Sequence, residues 1–509
     1  MADDGSLRRF SADDSFRMPD LESVLPRHGR VVALAPEVLR FSYFDTEDLR
    51  LTRAGLALWF QRFTEPRFER DRHAETDAMP WRLAIHGETL GFAGTSATVP
   101  TPVSTAVTAY TRGLALGSVA VLRVSRVVYQ LRDRKGRELG RVIDDRISVL
   151  DARRIKDKFR QIRLDVGRGD AALAKAVVRM LRRAGASESE YLLPQLRALG
   201  KPAEAPADIP EPVSTRAGAG VSEILTNVLR RDLLRLVDSD VAVRLRGDDG
   251  VHRMRVAIRR LRSDIATFRP LLDSAWADRI RTDLAWVGAA LGAARDAEVL
   301  RLRLRQTADL DPVAPLDQAA LARIDADLTA RGEDAGAGLE VVLAAPRYLA
   351  LLDALVAATA DPPVIAKARP RQLHRLVGHA YHRLVSGGTA TIGAADLGAL
   401  DSDRAWHGVR KRAKIARYAA EAAADLDPRA AHLAHALADV SDLLGEHQDA
   451  VLAAATWLSV ATDDPDDHVL AVTAGRLAER DRARARRVRE RYPEVWAAVD
   501  RGKLTKWLR

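Results

Sequence analysis

The stretch VHRMRVAIRRLR, residues 251–262, holds five arginines and a histidine without one acidic residue. On a helix, each like-charged pair three or four positions apart costs a few tenths of a kcal/mol, so the run needs a compensating gain. At about 100° per residue, His252, Arg255, Arg259 and Arg262 fall within an arc of about 80°. Val251, Met254, Ile258 and Leu261 take the adjoining arc. The basic stripe therefore borders the apolar face, whereas a solvated charge run would oppose it. A second stretch, HGVRKRAKIAR from His407, repeats the arrangement: His407, Arg410, Lys414 and Arg417 share the spacing of the first four, and Trp406, Val409, Ala413 and Ala416 take the apolar angles. Further on, LGAARDA from Leu291 matches LGEHQDA from Leu444, so that Asp296 follows His252 by 44 positions and Asp449 follows His407 by 42. Two landmarks in register predict a duplicated helical unit. Two stripes beside packed faces predict a basic groove in which a ligand supplies the counter-charge.

Outward from these stretches, residues 219–509 are dominated by Ala, Leu, Arg and Asp at helical spacing and read as all-α, with halves of about 219–350 and 351–509. The preceding KPAEAPADIPEPVSTRAG, residues 201–218, has no apolar periodicity and reads as a linker. Residues 1–200 differ again. RFSYFDTEDLRLTRAGLALWFQRF, SVAVLRVSRVVYQLRD and RVIDDRISVLDARR alternate with period two, which predicts antiparallel strands. DRKG lies between two of them as a hairpin turn, and DAALAKAVVRMLRRAGA reads as a helix closing the domain. The fold class is thus a two-domain α+β chain, with an N-terminal antiparallel barrel or tunnel and a C-terminal helical domain.

Across the 509 residues, lysines and arginines exceed acids by ten, and the isoelectric point is about 9.9. That balance points to a polyanionic partner: nucleic acid, an anionic membrane or polyphosphate. No cysteine is present, which excludes disulfides and thiolate metal sites. No apolar run reaches the roughly 18 residues of a membrane span, and MADDGSLRRFSADDSFRMPD lacks the apolar core of a signal peptide. The expectation is a soluble cytoplasmic protein. Readers of bases stack them on aromatic side chains, yet aromatics make up 5% of the chain and none lies on either stripe except Tyr418 at its edge. Sequence-specific nucleic-acid binding is not expected.

VHRMRVAIRRLRSDIATFRPLL, LGAARDAEVL, WHGVRKRAKIARYAAE and LLGEHQDAV together strongly resemble the CHAD domain, the conserved-histidine α-helical domain. The resemblance covers about residues 219–509. It implies two pseudo-symmetric four-helix bundles around a basic channel that binds inorganic polyphosphate, and with it a place at polyphosphate granules. The family's basic positions carry over to His252, Arg255, Arg259, Arg260, Arg262, His407, Arg410, Lys411, Lys414 and Arg417. The two histidines could equally be satisfied core residues. Asp296 and Asp449 are expected to hold basic side chains in place by hydrogen bonding.

Residues 1–200 resemble the CYTH, or triphosphate-tunnel, family in YFDTEDLRLTRAGLALWFQR, RGLALGSVAVLRVSR and LGRVIDDRI. That likeness implies an eight-stranded antiparallel tunnel in which bases hold phosphates and glutamates bind a divalent cation. Arg50, Arg53, Arg62, Arg123 and Arg126 stand where the family has phosphate-holding bases. The acids depart from the pattern. With GSLRRF in the place of the ExExK strand, Gly5 and Leu7 replace its glutamates and Arg9 its lysine. Arg141 stands where a later glutamate is expected, and Gln161, Arg163 and Asp165 where acids alternate. Arginine cannot ligate a cation, and Asp144 with Asp145 are too few to hold one. The expectation is a degenerate tunnel with no catalytic residues, no metal and no cofactor, serving as a second anion site or a scaffold beside a polyphosphate-binding helical domain. The competing expectation is a metal-dependent triphosphatase or polyphosphatase to which the helical domain delivers substrate.

Overall fold

A computed structural model describes residues 7–13, 15–63, 79–96, 98–152, 154–166, 170–188, 193–213, 219–310, 313–365, 369–388, 390–424, 427–464, 466–499 and 502–508. Gly5 lies outside them. The chain forms two compact units, Met1–Asp208 and Ile209–Arg509.

The first unit is built on β1 (Leu7–Ala12), β2 (Arg30–Ala33), β3 (Glu37–Asp45), β4 (Ala57–Phe63), β5 (Trp81–Ile85), β6 (Glu88–Phe92), β7 (Gly117–Arg132), β8 (Glu138–Asp151), β9 (Arg154–Val166) and β10 (Ser187–Glu188). They form one antiparallel sheet in the order β10-β1-β9-β8-β7-β3-β4-β5-β6, with β2 also on β7. The alternating segments are strands, as their period requires, and the DRKG turn joins β7 to β8, with Gly136 N donating to Asp133 O at 3.0 Å. Closure into a tunnel is not what the described strands make: β6 and β10 end the sheet without pairing to each other.

The two faces of this sheet carry different chemistry. On the front, Leu39, Leu122, Val124, Ile147, Val149 and Phe159 form an apolar cluster, and the register continues it into a polar strip. There Glu37, Arg126, Asp145 and Gln161 stand side by side across β3, β7, β8 and β9. On the back, Phe10, Leu131, Val142, Ile162 and Leu164 receive Leu173, Val177, Val178 and Leu181 from the helix α1 (Ala171–Arg183). Asp170 caps this helix, accepting from Leu173 N at 3.1 Å, which is the usual N-cap role of a short carboxylate.

The second unit is all helix: α2 (Val221–Arg244), α3 (Gly250–Phe268), α4 (Ser274–Ala308), α5 (Gln318–Ala344), α6 (Pro346–Ala360), α7 (Pro370–Ser386), α8 (Asp403–Ala423), α9 (Pro428–Asp463) and α10 (His468–Val499). The two longest helices resemble each other in length and in how they begin. α4 runs 35 residues and α9 runs 36, and each begins after an aspartate cap. Asp273 accepts from Trp276 N at 2.7 Å and Asp427 from Arg429 N at 2.9 Å. Within the second copy, Leu384, Trp406, Val409, Ala413, Leu437 and Tyr492 form one core across α7, α8, α9 and α10.

The two copies also share apolar packing. Leu304, Ile324 and Leu328 of α4 and α5 join Trp457, Leu470 and Leu477 of α9 and α10 in a common cluster. At its edge Arg303 and Asp481 form a buried ion pair at 2.7 Å, and Trp457 Nε1 donates to the other carboxylate oxygen at 2.8 Å. Among the described residues no single helix is long and apolar enough to cross a membrane; α5 and α6 reach that apolar length only together, with a 57° bend between them.

Candidate functional site

α3 and α8 pack against each other, which brings the two stripes of the sequence into one seam. Their apolar neighbours anchor them: Met254, Ile258 and Leu261 on α3 and Trp406, Val409, Ala413 and Ala416 on α8 are all buried. Arg255 and Arg259 from one copy then stand near Arg410 and Lys414 from the other, close enough to perturb their ionisation. Burial, reinforced by Arg259 and Arg410 and partly offset by Asp449, pulls the Lys414 ammonium down to about 7. Burial likewise lowers Arg410, whose Nε is enclosed without a hydrogen-bond partner. A buried donor left unsatisfied costs about 1–3 kcal/mol, and more when charged. Arg259 Nε donates to Tyr418 Oη at 3.2 Å.

The remaining stripe residues divide into two kinds. Arg260 and Arg417 are met inside the protein, because both pair with Glu421: Arg417 Nε donates to Glu421 Oε1 at 2.8 Å, and Arg260 pairs with the other oxygen while stacking 4.9 Å over the Tyr418 ring. Arg262 and Lys411 are exposed and make no hydrogen bond or ion pair among the described residues. His252 is exposed; its imidazole is pulled down by partial desolvation and by Arg295. His407 is half-buried, with Nδ1 2.6 Å from Gln448 Oε1, and burial lowers it too. Arg255 Nη1 donates to Asp296 Oδ1 at 3.1 Å. Asp449 exerts its pull on Arg410 and Lys414 as a nearby charge.

Beneath the seam, Asp264 of α3 and Asp232 of α2 are buried together. Burial, then the charge of Asp232, drives the Asp264 carboxyl well above the ordinary carboxylate range. Glu421, Gln448 and Arg295 escaped the sequence reading. What they meet on other helices lies tens of positions or more away, and the short steps from Arg417 to Glu421 and from Arg295 to Glu298 were visible locally.

The five expected tunnel bases do not come together. Arg50 and Arg53 lie in a helical turn, not on a strand; Arg50 Nε donates to Asp48 at 2.9 Å and Arg53 Nε to the Pro202 carbonyl at 3.1 Å. Arg62 and Arg123 flank Arg40 across β4, β3 and β7, exposed on the back of the sheet. Arg126 is on the front. There Asp145 accepts from Arg126 Nε at 2.7 Å and Nη2 at 2.9 Å, and from Arg163 Nη2 at 3.1 Å.

A divalent cation of the kind active tunnel enzymes need does not fit these residues. Asp144 and Asp145 are consecutive on β8 and so face opposite sides of the sheet. Asp144 is buried against Arg160, accepting from Nε at 2.7 Å and Nη2 at 2.5 Å. Front-face neighbours by register are Arg9, Arg141 and Arg163 with Asp165. Asp144 and Asp145 are both met by guanidinium, and among the described residues no three potential ligands gather.

The CHAD domain family model matches residues 227–458. The chain carries a CHAD domain. The matched span contains α3, α8, both stripes and both aspartates of the LGxxxDA repeats. An uncharacterized protein of Mycobacterium tuberculosis, Rv2226, is 29% identical over 343 residues, which is 66% of this chain and 63% of that protein. The chain thus spans less than two thirds of this relative's length. The CHAD domain structure from the plant Ricinus communis is 24% identical, covers 57% of this chain and 94% of its own, and superposes with a TM-score of 0.44. For the first unit, HpAC1 from Hippeastrum, described as having a dominant triphosphatase activity, is 10% identical with a TM-score of 0.20, covering 37% of this chain and 93% of its own.

Proposed function

We propose that the CHAD domain grips inorganic polyphosphate along the seam of α3 and α8, and that the sheet unit binds or supports without hydrolysing. The observation that carries this reading is the unmatched charge: Arg410 and Lys414 are half-buried beside Arg255 and Arg259, and among the described residues the carboxylates set against these four are Asp296 and Asp449. Holding cations together out of water is unfavourable unless a ligand completes the site. A chain of phosphates does so with fork-shaped hydrogen bonds to guanidinium and a point charge at the ammonium. Two copies of the stripe extend the contact along a linear polymer.

Base readout has no support on this surface, since Tyr418 is buried and engaged with Arg259 and Arg260. The pseudoenzyme part of the proposal rests on the opposed and guanidinium-paired Asp144 and Asp145. The test is titration of the purified chain with long-chain polyphosphate, DNA and RNA at equal charge, beside phosphate-release assays on ATP and tripolyphosphate with Mg²⁺ or Mn²⁺. Tight binding of polyphosphate alone, without phosphate release, is expected. Equal affinity for all three polymers removes the specific groove, and metal-dependent turnover lost in Asp144→Ala or Asp145→Ala overturns the pseudoenzyme reading.

A further inference from the structure

A second concentration of positive charge sits on the first unit, on the back of its sheet. α1 buries Leu173, Val177, Val178 and Leu181 against the back of the sheet. Along its outer side run Lys175, Arg179, Arg182 and Arg183, all exposed, at spacings that place them on one stripe. Arg8 of β1 stands beside them. With Val178 these five cations line an open cleft of about 550 Å³. Among the described residues the acid paired at its rim is Glu188 of the edge strand β10, which meets Arg8 at 3.0 Å and also Arg182. Lys175, Arg179 and Arg183 have no ion pair among the described residues.

We propose that this cleft is a binding site for a compact condensed phosphate, either a small molecule with two or more linked phosphates or the end of a polymer. The chemistry follows from the lining. Among the described residues five cations stand with one paired carboxylate, which asks for a ligand carrying several negative charges in a small volume, and a lone carboxylate ligand falls short. Val178 alone gives an apolar ligand almost nothing to bury. Guanidinium forks match paired non-bridging phosphate oxygens, and long arginine stems let several heads converge on one anion. Glu188 acts as a built-in competitor that holds Arg8 and Arg182 while the cleft is empty. The site lies within the first unit, so it stands or falls apart from the reading of the seam.

The test is calorimetric titration of the full chain with tripolyphosphate, and separately with long-chain polyphosphate, at fixed ionic strength. In Arg179→Ala/Arg183→Ala, tripolyphosphate affinity falls ten-fold or more. In Glu188→Gln it rises about three-fold or more, because two arginines are released. Glu47→Gln makes the same charge change at an exposed position of the same unit and leaves the affinity unaltered. Weakening confined to tripolyphosphate in the Arg179/Arg183 variant identifies the small molecule as the ligand, and weakening of both shows that the end of a polymer is accepted as well. The proposal is overturned if Glu47→Gln strengthens binding as much as Glu188→Gln, which is attraction by net charge. It is equally overturned if tripolyphosphate binding survives the Arg179/Arg183 change and disappears in Arg410→Ala/Lys414→Ala.

Discussion

The front of the sheet and the seam of the helical unit are both rich in arginine, and they differ in where the counter-charge stands. On the sheet, acids are interleaved at the register positions that meet the cations: Asp145 takes Arg126 and Arg163, and Asp144 takes Arg160 on the other side. In the seam, Glu421 neutralises Arg260 and Arg417, while Arg259, Arg410 and Lys414 converge with no carboxylate bonded to them among the described residues. The number of basic residues therefore says little about ligand binding. The decisive quantity is the buried positive charge that the fold itself leaves unmatched.

The sharpest way to break this contrast is to remove a matched acid. Asp144 and Arg160 have side chains only 3% and 2% exposed, and stripping one partner from a buried pair costs about 3–5 kcal/mol. Asp144→Ala is expected to lower the thermal unfolding temperature of the first unit markedly while leaving polyphosphate affinity at the seam unchanged. An unaltered melting temperature shows that the sheet's charges are not structural pairs.

The seam responds in the opposite sense. Arg410→Ala/Lys414→Ala is expected to weaken long-chain polyphosphate binding by about a hundred-fold, taking each lost charge-assisted contact as roughly ten-fold. The slope of log affinity against log salt flattens by up to about one unit per lost phosphate contact. Stability changes little or rises, because like charges are removed. Controls must be chosen with care. Arg480 and Arg484 look like exposed members of the charged run RLAERDRARARR, yet Arg480 Nη1 donates to the Thr307 carbonyl at 2.9 Å and Arg484 Nε to Glu446 at 2.7 Å. Arg482 and Arg487 are exposed and serve instead. Equal loss in stripe and control variants leaves no distinction between seam and surface.

Those arginines also mark how far sequence reaches. Helical spacing was enough to predict the stripes and their position bordering the buried faces, because each depends on residues within one helix. Strand alternation predicted the antiparallel sheet. It also held an unused clue: Arg123 and Arg126 are three positions apart on a strand, so period two already separates them onto opposite faces. The family pattern grouped them by position along the chain and passed over that parity. Sheet closure, the Glu421 clamp on Arg260 and the carbonyls that hold Arg480 are contacts between distant segments, and no local pattern encodes them.

The pH response of Lys414 separates ligand-completed charge from structural charge. Its ammonium titrates near 7 because burial and the neighbouring Arg259 and Arg410 disfavour the charge. A bound polyanion favours the charged form, so affinity is expected to fall as pH rises through about 7, by up to about ten-fold per pH unit for one proton taken up. Stability moves the other way. The folded lysine titrates below its ordinary 10.5, so between about 7 and 10.5 the unfolded chain holds the extra proton, and stability rises with pH across that window. Titrations in buffers of different ionisation enthalpy detect the proton uptake, and Lys414→Arg removes the pH dependence. Affinity that is flat from pH 6 to 9 in the unaltered protein excludes Lys414 from the contact.

The smallest expected effect concerns Asp296, the acid that bonds Arg255 of the stripe. Its pair with Arg255 is largely open to solvent, with side chains 56% and 34% exposed, and exposed ion pairs contribute about 0–1 kcal/mol. Orientation of Arg255 by Asp296 is therefore weak, while the carboxylate's charge opposes an incoming polyanion at close range. Asp296→Asn is expected to strengthen polyphosphate binding by about two-fold at low salt, with the gain fading as salt screens the removed charge and with the melting temperature unchanged. The amide keeps an oxygen to accept from Arg255 Nη1, so the geometry is retained and the change isolates charge. A loss of affinity in Asp296→Asn that persists at high salt means instead that the carboxylate positions Arg255 for the ligand. In that event the seam, like the sheet, needs a matched acid to hold its arginine in place.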